Sequence, residues 1–179
     1  MQSHSYSWFN CFTNEQVKNI NKEIKKFISK KENPSLPAQN VVKRGKFSII
    51  PCSPLLKFLH PWLWQCQEIN RKVFGYDIYW DFHLDKLNYN VYEKNGEYGW
   101  HIDAIKENTP IDMKLTCLLN LSEESYEGGE FCMAGVEEKI KFTSGMGLVL
   151  TSLVAHKITP VTKGERITLT YWGSGPSWR

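Results

Sequence analysis

Residues 166–172 read RITLTYW, in which apolar and polar side chains alternate as they do in a β-strand that is buried on one face. Side chains two positions apart on such a strand share a face. The residues at 167, 169 and 171 therefore lie on the apolar face, and the polar face carries Arg166 and Thr168. The stretch predicts a strand with two chemically different sides.

A second stretch, LNYNVY at residues 87–92, divides in the same way and places Asn90 and Tyr92 on its polar face. An ordinary strand with one face in water explains either stretch taken alone. Two such strands also fit an interior lined by polar groups, and such an interior is costly unless a ligand uses the hydrogen bonds. The alternation leaves both interpretations open.

Short segments of this kind follow one another from Asp77 to the C-terminus. They are rich in β-branched and aromatic residues and are separated by Gly, Asn, Ser and Glu. Many short strands joined by tight turns indicate an antiparallel sandwich or barrel. We therefore predict an α+β fold in which helices precede an eight-stranded roll. The segments are DIYWDFHLDKLNYNVYE, MKLTCLLNLS, GEFCMA, EKIKFTS, GLVLTS, AHKITPV and RITLTYW.

The residues before position 77 predict helices. Thr13 and Gln16 have the spacing of a capping box, and apolar residues at helical spacing continue the first helix to about Lys31. We expect a single domain over residues 1–179. Within it, residues 1–76 are expected to be mainly helical support and residues 77–179 the core of the roll.

A second helix is predicted with Ser53 as its cap, Pro54 at its first position and Gly75 as its C-terminal stop. Pro61 lies inside this segment and lacks the N–H group that an α-helix needs. We therefore expect a kink or a break in the helix at this residue.

Composition disfavours several classes of protein. The formal net charge is +3, which is too small for a dedicated binder of nucleic acid or another polyanion. The five cysteines are an odd number without a CxxC pair, which favours a reducing compartment over a disulfide framework. No apolar run reaches the ~18 residues of a membrane helix. We expect a soluble, cytoplasmic protein without a membrane partner.

The stretch YGWHID, residues 98–103, places His101 and Asp103 two positions apart, so that both side chains point the same way on an extended chain. They are either half of a metal site or two polar residues at the end of a strand. His83 and Asp85 repeat the spacing and form a second candidate pair.

A third ligand is expected from His156, which begins a strand that turns at TKGE, residues 162–165, and returns through Arg166. If Pro160 and Arg166 are neighbours across this turn, His156 and Arg166 lie on one face of a hairpin, about 13 Å apart at ~3.3 Å per residue. A five-carbon dicarboxylate and an arginine side chain fill such a gap. The spacing suits 2-oxoglutarate.

Two histidines and one carboxylate on one face of a metal leave three open positions, which is the arrangement of non-haem Fe(II) oxygenases. Two positions would take the C1 carboxylate and ketone of the 2-oxo acid, and the third would take O2. Arg166 would hold the distal carboxylate in a bidentate fork, with Thr168 beside it. Asn90 and Tyr92 would hydrogen-bond the co-substrate from the facing strand.

Together these segments resemble the iron- and 2-oxoglutarate-dependent dioxygenases of the prolyl 4-hydroxylase superfamily, over about residues 85–173. The small bacterial and viral prolyl/lysyl hydroxylase-type members are the most similar. The family's Tyr, Gly, Tyr and HxD run resembles YEKNGEYGWHIDA at residues 92–104, and its GGE strand resembles Gly128–Glu130. Its distal block resembles TSLVAHKITPVTKGERITLTYW at residues 151–172. The pair at positions 83 and 85 has no such setting, and we interpret it as structural.

The resemblance implies a double-stranded β-helix, or jelly roll, with the N-terminal helices packed on one sheet. It implies Fe(II) held by His101, Asp103 and His156, and 2-oxoglutarate held chiefly by Arg166. The implied reaction is the hydroxylation of an unactivated C–H bond with O2, with succinate and CO2 as co-products, and the family often uses ascorbate. An intact carboxylate at Asp103 favours hydroxylation over halogenation. The expected substrate is a side chain of a protein or peptide, with proline as the first choice.

Three alternatives remain. A nucleic-acid demethylase of the alkylation-repair type also has Asn-x-Tyr before HxD, but Thr168 and Trp172 stand where its distal strand has Asn and Arg. A free amino acid or another small metabolite is a second possible class of substrate. A cupin-like binding protein without chemistry is the third, although it would not need an arginine ten residues after His156.

Overall fold

The computed structural model describes residues 5–28, 33–34, 41–104, 110–137 and 140–178. Helix α1 spans Asn14–Ile24, and helix α2 spans Leu56–Ile69. A 3-10 turn, Ser53–Leu55, precedes α2, and a π-helical turn, Asn70–Phe74, follows it. Neither of these helices is long and apolar enough to cross a membrane.

Helix α1 begins with the predicted capping box, in which the Thr13 hydroxyl accepts from the Gln16 N–H and the Gln16 side chain accepts from the Thr13 N–H. The helix ends at Ile24 and a turn follows, so the expected continuation to Lys31 is wrong. The apolar spacing continues because Ile28 reaches the same core from non-helical backbone. Residues 29–32 lie outside the described part of the chain.

Helix α2 runs without a break through Pro61, so the expected split is wrong. Proline removes a hydrogen bond to the carbonyl four residues earlier, and both Pro61 and Lys57 are exposed, so the loss falls on the exposed side of the helix. Ser53 is not the cap, because the N-cap residue of the preceding turn is Cys52. Gly75 ends the segment as predicted, with a φ of +67° that suits glycine.

The strands of the described residues form sheets of seven, four and two strands. The seven-stranded sheet has the order β1-β10-β7-β13-β5-β4-β2, the four-stranded sheet β3-β6-β11-β9, and the small sheet β12-β8. All pairings are antiparallel. The strands are β1 Tyr6–Asn10, β2 Asn33–Pro34, β3 Lys43–Arg44, β4 Lys46–Pro51, β5 Lys86–Tyr92, β6 Glu97–His101, β7 Ile111–Asn120, β8 Glu127–Gly128, β9 Phe131–Met133, β10 Met146–Thr151, β11 His156–Ile158, β12 Val161–Lys163 and β13 Arg166–Pro176.

Two hydrophobic cores hold these layers together. In the first, buried residues of α1 and α2 pack on the outer face of the seven-stranded sheet, for example on Leu119 and Leu169. In the second, Leu118 and Leu148 of the same sheet meet Phe131 and Ile158 of the four-stranded sheet. Neighbouring residues of one strand therefore serve opposite cores. The architecture is the predicted α+β jelly roll with helices packed on one sheet.

The N-terminal part differs from the expected helical support. Residues 1–76 contribute β1, β2 and β4 to the seven-stranded sheet, and β3 to the four-stranded sheet, in addition to the helices. Residues 77–85 do not form the expected strand, and Ile140 makes only an isolated bridge to Phe131. The roll is thus assembled from both ends of the chain and has more strands than predicted.

Candidate metal centre and co-substrate pocket

The two sheets bring His101, Asp103 and His156 together. His101 ends β6, His156 begins β11, and the two strands pair with these residues opposite each other. His101 Nε2 lies 3.6 Å from Asp103 Oδ1, and His156 Nε2 lies 3.6 Å from Asp103 Oδ2. One ligand atom of each residue lies within 4.8 Å of the others. These three side chains are positioned to share one metal ion.

The histidine rings are held with Nε2 facing the shared position. His101 Nδ1 lies 2.8 Å from the Gly99 carbonyl, and His156 Nδ1 lies 2.9 Å from the Val154 carbonyl. A carbonyl only accepts, so each Nδ1 carries the proton and each Nε2 offers a lone pair. Burial, followed by the nearby His156, lowers the pKa of His101 to about 4. The neutral ring is the form that binds a metal.

The third ligand is oriented by a side chain that the sequence analysis did not identify. The Thr116 hydroxyl of β7 donates a 2.6 Å hydrogen bond to Asp103 Oδ2. The Asp103 N–H donates to the Ser152 carbonyl at 3.1 Å. Thr116 belongs to the seven-stranded sheet and Ser152 directly follows its strand β10, so the carboxylate is held from the side opposite its histidine neighbours. No sequence spacing links Thr116 to Asp103.

His60 and His83, the other histidines of the described residues, do not join this centre. His83 is exposed, and the Asp85 carboxylate accepts a 2.8 Å hydrogen bond from the Tyr171 hydroxyl. His60 is exposed and stacks on Trp64. The remaining histidine, at position 4, lies outside the described residues.

One pocket is lined by the three metal-ligand residues and by Arg166 of β13. The Arg166 side chain is fully buried. Its Nη1 lies 3.5 Å from the Thr168 hydroxyl, while its Nε and Nη2 have no hydrogen-bond partner in the described part of the chain. Tyr92 and Phe142 flank the guanidinium at 5.6 and 5.8 Å from their ring centroids. Burial lowers the pKa of Arg166, and Tyr126 and Tyr92 partly offset this effect. A buried cation with two unpaired N–H groups is suited to an anionic ligand.

The predicted hairpin between His156 and Arg166 is wrong. Strand β12 pairs with β8, and β13 pairs with β5 and β7, so Pro160 and Arg166 are not partners. His156 lies in the four-stranded sheet and Arg166 in the seven-stranded sheet, and both line one pocket. Strand β8, which contains Gly128, pairs with β12 in the place that the predicted hairpin assigned to β13. The two residues therefore face each other across the roll.

The polar faces of β5 and β13 line this pocket. Of the two interpretations of their alternating sequences, the structure therefore agrees with the interior lined by polar groups and not with a face in water. Strands β5 and β13 pair with Tyr92 opposite Arg166 and Asn90 opposite Thr168. Asn90 donates to the Thr170 hydroxyl and to a neighbouring carbonyl, both at 3.2 Å. The pocket is lined by both sets, at positions 88, 90 and 92 and at positions 166, 168, 170 and 172. Roles for Asn90, Tyr92 and Thr168 toward a co-substrate stay predictions.

Two further residues support the arginine. Gly129 has a φ of +61°, and a Cβ atom there would approach the Arg166 Cδ to 2.9 Å, so only glycine lets the arginine stem pass. The Tyr126 hydroxyl accepts from Asn120 at 3.1 Å and donates to the Phe142 carbonyl at 3.0 Å. The GGE motif in the sequence includes Gly129 and so pointed to this position. No sequence pattern pointed to Tyr126.

Two further contacts near the metal ligands were not predicted from the sequence. Tyr98 stacks on the His101 ring with centroids 3.6 Å apart. Lys43, from β3, extends over the Tyr98 ring, with Nζ 4.7 Å from its centroid. Burial lowers the pKa of Lys43, and Asp103 partly offsets this effect. No sequence pattern described above indicated Lys43.

Comparison with known sequences agrees with this geometry. The sequence profile of the 2OG-Fe(II) oxygenase superfamily matches residues 87–174. A PKHD-type hydroxylase of Alteromonas mediterranea is 41% identical over an alignment of 93 residues, and the match covers 47% of this chain and 41% of that protein. The chain thus spans less than half the length of this curated relative.

Solved structures share the fold over nearly the whole chain. A prolyl-4-hydroxylase of Pseudomonas putida has a TM-score of 0.73 at 18% identity, covering 98% of this chain and 95% of that chain. The 2OG complex of a viral collagen prolyl hydroxylase from Paramecium bursaria Chlorella virus-1 has a TM-score of 0.73 at 14% identity, covering 96% of each chain. At these identities the likeness shows the jelly roll and its helices.

Proposed function

Because the chain belongs to the 2OG-Fe(II) oxygenase superfamily, we propose that it is an Fe(II)- and 2-oxoglutarate-dependent dioxygenase of the prolyl hydroxylase type. Its reaction is the hydroxylation of an unactivated C–H bond in a side chain of a protein or peptide, with proline as the first candidate. Succinate and CO2 are the co-products.

One observation carries the proposal. Two imidazole nitrogens and a carboxylate meet within 4.8 Å in a pocket that also contains a fully buried arginine with unpaired N–H groups. Two histidines and a carboxylate suit Fe(II), and a guanidinium fork suits a carboxylate. A cupin-like binding role explains neither the arginine nor its unpaired Nε and Nη2.

Each residue of the pocket has a role in this reaction. With O2 and 2-oxoglutarate, a bound Fe(II) supplies oxidative decarboxylation and the transfer of one oxygen atom to the substrate. His101, Asp103 and His156 hold the metal on one face, and Thr116 keeps the carboxylate oriented. Arg166 binds the distal carboxylate, which fixes the direction of the co-substrate. The buried walls exclude water from the reacting atoms.

The size of the pocket supports a large substrate over a small one. Its volume is about 90 Å³, whereas sites for whole drug-sized ligands measure about 300–1,000 Å³. Little room is left for a second complete molecule beside 2-oxoglutarate. A protein or peptide that inserts one side chain fits better than a free metabolite. No observation favours a nucleic-acid substrate.

The test is succinate formation by the purified protein with Fe(II), 2-oxoglutarate and O2, with and without candidate prolyl peptides. We expect slow succinate release without peptide, and faster release with an added oxygen atom on the peptide in mass spectrometry. His101→Ala, Asp103→Ala and His156→Ala should each abolish this turnover and reduce bound iron. His83→Ala is the matched control and should keep both, because His83 is exposed and does not join the centre.

Turnover that persists in the three ligand variants, or a wild-type protein that binds iron but never forms succinate, would contradict the proposal. Ascorbate, which the family resemblance suggests, is tested by its addition and omission in the same assay.

A further inference from the structure

Lys43 is a cation beside the metal centre that the proposed mechanism does not use. It lies in the edge strand β3, pairs with Tyr98 of β6, and lines the same pocket as the metal ligands. Its Nζ lies 4.7 Å from the Tyr98 ring centroid and 5.2 Å from that of Phe47. Because Tyr98 stacks on His101, the ammonium is one aromatic ring away from a metal ligand.

The neighbouring cations are paired, whereas Lys43 is not. Arg44 Nη1 lies 3.0 Å from a Glu97 carboxylate oxygen, and Lys46 Nζ lies 2.9 Å from one of Glu93. Within the described ranges, the Lys43 ammonium has aromatic faces as neighbours and makes neither a salt bridge nor a side-chain hydrogen bond. Partial burial has removed some of its hydration, and a carboxylate would replace this with charge-assisted hydrogen bonds.

The two pocket cations serve different ends of the site. Arg166 lies between the Tyr92 and Phe142 rings, at the end assigned to the distal carboxylate of 2-oxoglutarate. Lys43 lies over Tyr98, which stacks on His101, at the metal end. The C–H bond that is hydroxylated must also lie at the metal end. A cation there is therefore available to the substrate.

We infer that Lys43 selects the substrate by binding a carboxylate that lies next to the residue presented to the metal centre. This inference rests on the proposed function. The carboxylate belongs to an acidic side chain of a peptide or to a free amino acid, and the ammonium recognises the same group in each. Exposed apolar side chains close to the pocket residues in sequence, Val42, Trp100 and Ile102, offer a surface to the rest of a peptide.

The experiment offers two sets of probes to the Fe(II)- and 2-oxoglutarate-loaded enzyme. One is a peptide library with a central proline or lysine and randomised flanks, and the other is free L-proline and L-lysine. Mass spectrometry identifies the products that have gained oxygen. The variants are Lys43→Met, which removes the charge and keeps the stem, and Lys43→Arg, which keeps the charge. Lys46→Met, an exposed lysine on the next strand, is the matched control.

We expect wild-type products to be enriched in Asp and Glu beside the oxidised residue. Lys43→Met should lose this enrichment, and Lys43→Arg and Lys46→Met should keep it. In a second measurement on the metal-free protein, Lys43→Met should weaken binding of the most enriched peptide about tenfold or more. Oxidation of free L-proline or L-lysine alone, lost in Lys43→Met, would support the same role with a free amino acid as the source.

Products without acidic enrichment, or enrichment unchanged in Lys43→Met, would overturn the inference. So would a higher 2-oxoglutarate requirement of Lys43→Met in the substrate-free reaction with acidic preference intact, because Lys43 would then serve the co-substrate. Failure of the wild type to oxidise any probe while substrate-free succinate release continues would also overturn it. Absence of succinate under every condition would instead contradict the proposed function.

Discussion

Arg166 is the residue whose surroundings say most about the site. Its side chain is fully buried, yet its Nε and Nη2 have no partner among the described groups of the protein. Burying a cation without hydrogen-bond partners is costly, and the surrounding tyrosines compensate only in part. The arginine is thus prepared for an anion that binds from outside the chain.

The corresponding prediction concerns the 2-oxoglutarate requirement. Arg166→Lys keeps the charge but loses the bidentate fork, so the KM for 2-oxoglutarate should rise about tenfold, and Arg166→Ala should raise it further. The measurement is succinate formation as a function of 2-oxoglutarate concentration, with bound iron and thermal unfolding as controls for an intact centre. An unchanged KM in both variants would mean that the guanidinium does not contact the co-substrate.

At the same scale, residues differ in how visible they are from the sequence. His101 and Asp103 are two positions apart on an extended chain, so their common direction follows from local geometry. Thr116 and Lys43 come from strands far away in sequence and reach the centre through strand pairing and sheet packing. Threonine and lysine are common residue types, so neither stands out in the sequence. Only the assembled pocket gives them a role.

At the scale of elements, helix α1 begins at the residue that the sequence predicts because its capping box is a local interaction. Thr13→Ala should lower the free energy of unfolding by about 1 kcal/mol, since one N-terminal N–H loses its acceptor. Thr13→Ser, which keeps the hydroxyl, is the control. Urea unfolding measures the difference. The 2-oxoglutarate requirement should not change, because α1 packs on the outer face of the large sheet.

If Thr13→Ala is as stable as the wild type, the cap does not stabilise the fold. The element predictions that failed have a different cause, because they depended on partners distant in sequence. Pro61 is tolerated since the lost hydrogen bond falls on the exposed side of α2, and β12 pairs with β8 because the roll brings that strand beside it. Neither fact is available from local pattern.

At the scale of the whole molecule, residues from both ends of the chain share one core. Leu119 of β7 is fully buried in the cluster that also contains residues of α1 and α2. A single cooperative unit over residues 1–179 is therefore still our prediction. Urea unfolding followed by far-UV circular dichroism and by tryptophan fluorescence should give coincident transitions.

Leu119→Ala should move both transitions together and cost about 2–5 kcal/mol, because it leaves a cavity between helices and sheet. Ile111→Ala, at an exposed position of the same strand, should change stability by no more than about 0.5 kcal/mol. Two separate transitions, or an effect of Leu119→Ala on only one probe, would show that helices and roll are independent units.

The sequence alone determined the properties that depend on short-range periodicity: the strand-rich class, the faces of β5 and β13, the helix cap at Thr13, and the shared direction of His101 and Asp103. These follow because a strand repeats every two residues and a cap involves neighbours. The tertiary structure alone decided the pairing of β12 with β8 and the placement of His156 opposite Arg166 across the roll. It also decided the approach of Lys43 and Thr116 to the centre, because strand partners are chosen by packing and hydrogen bonding over the whole chain.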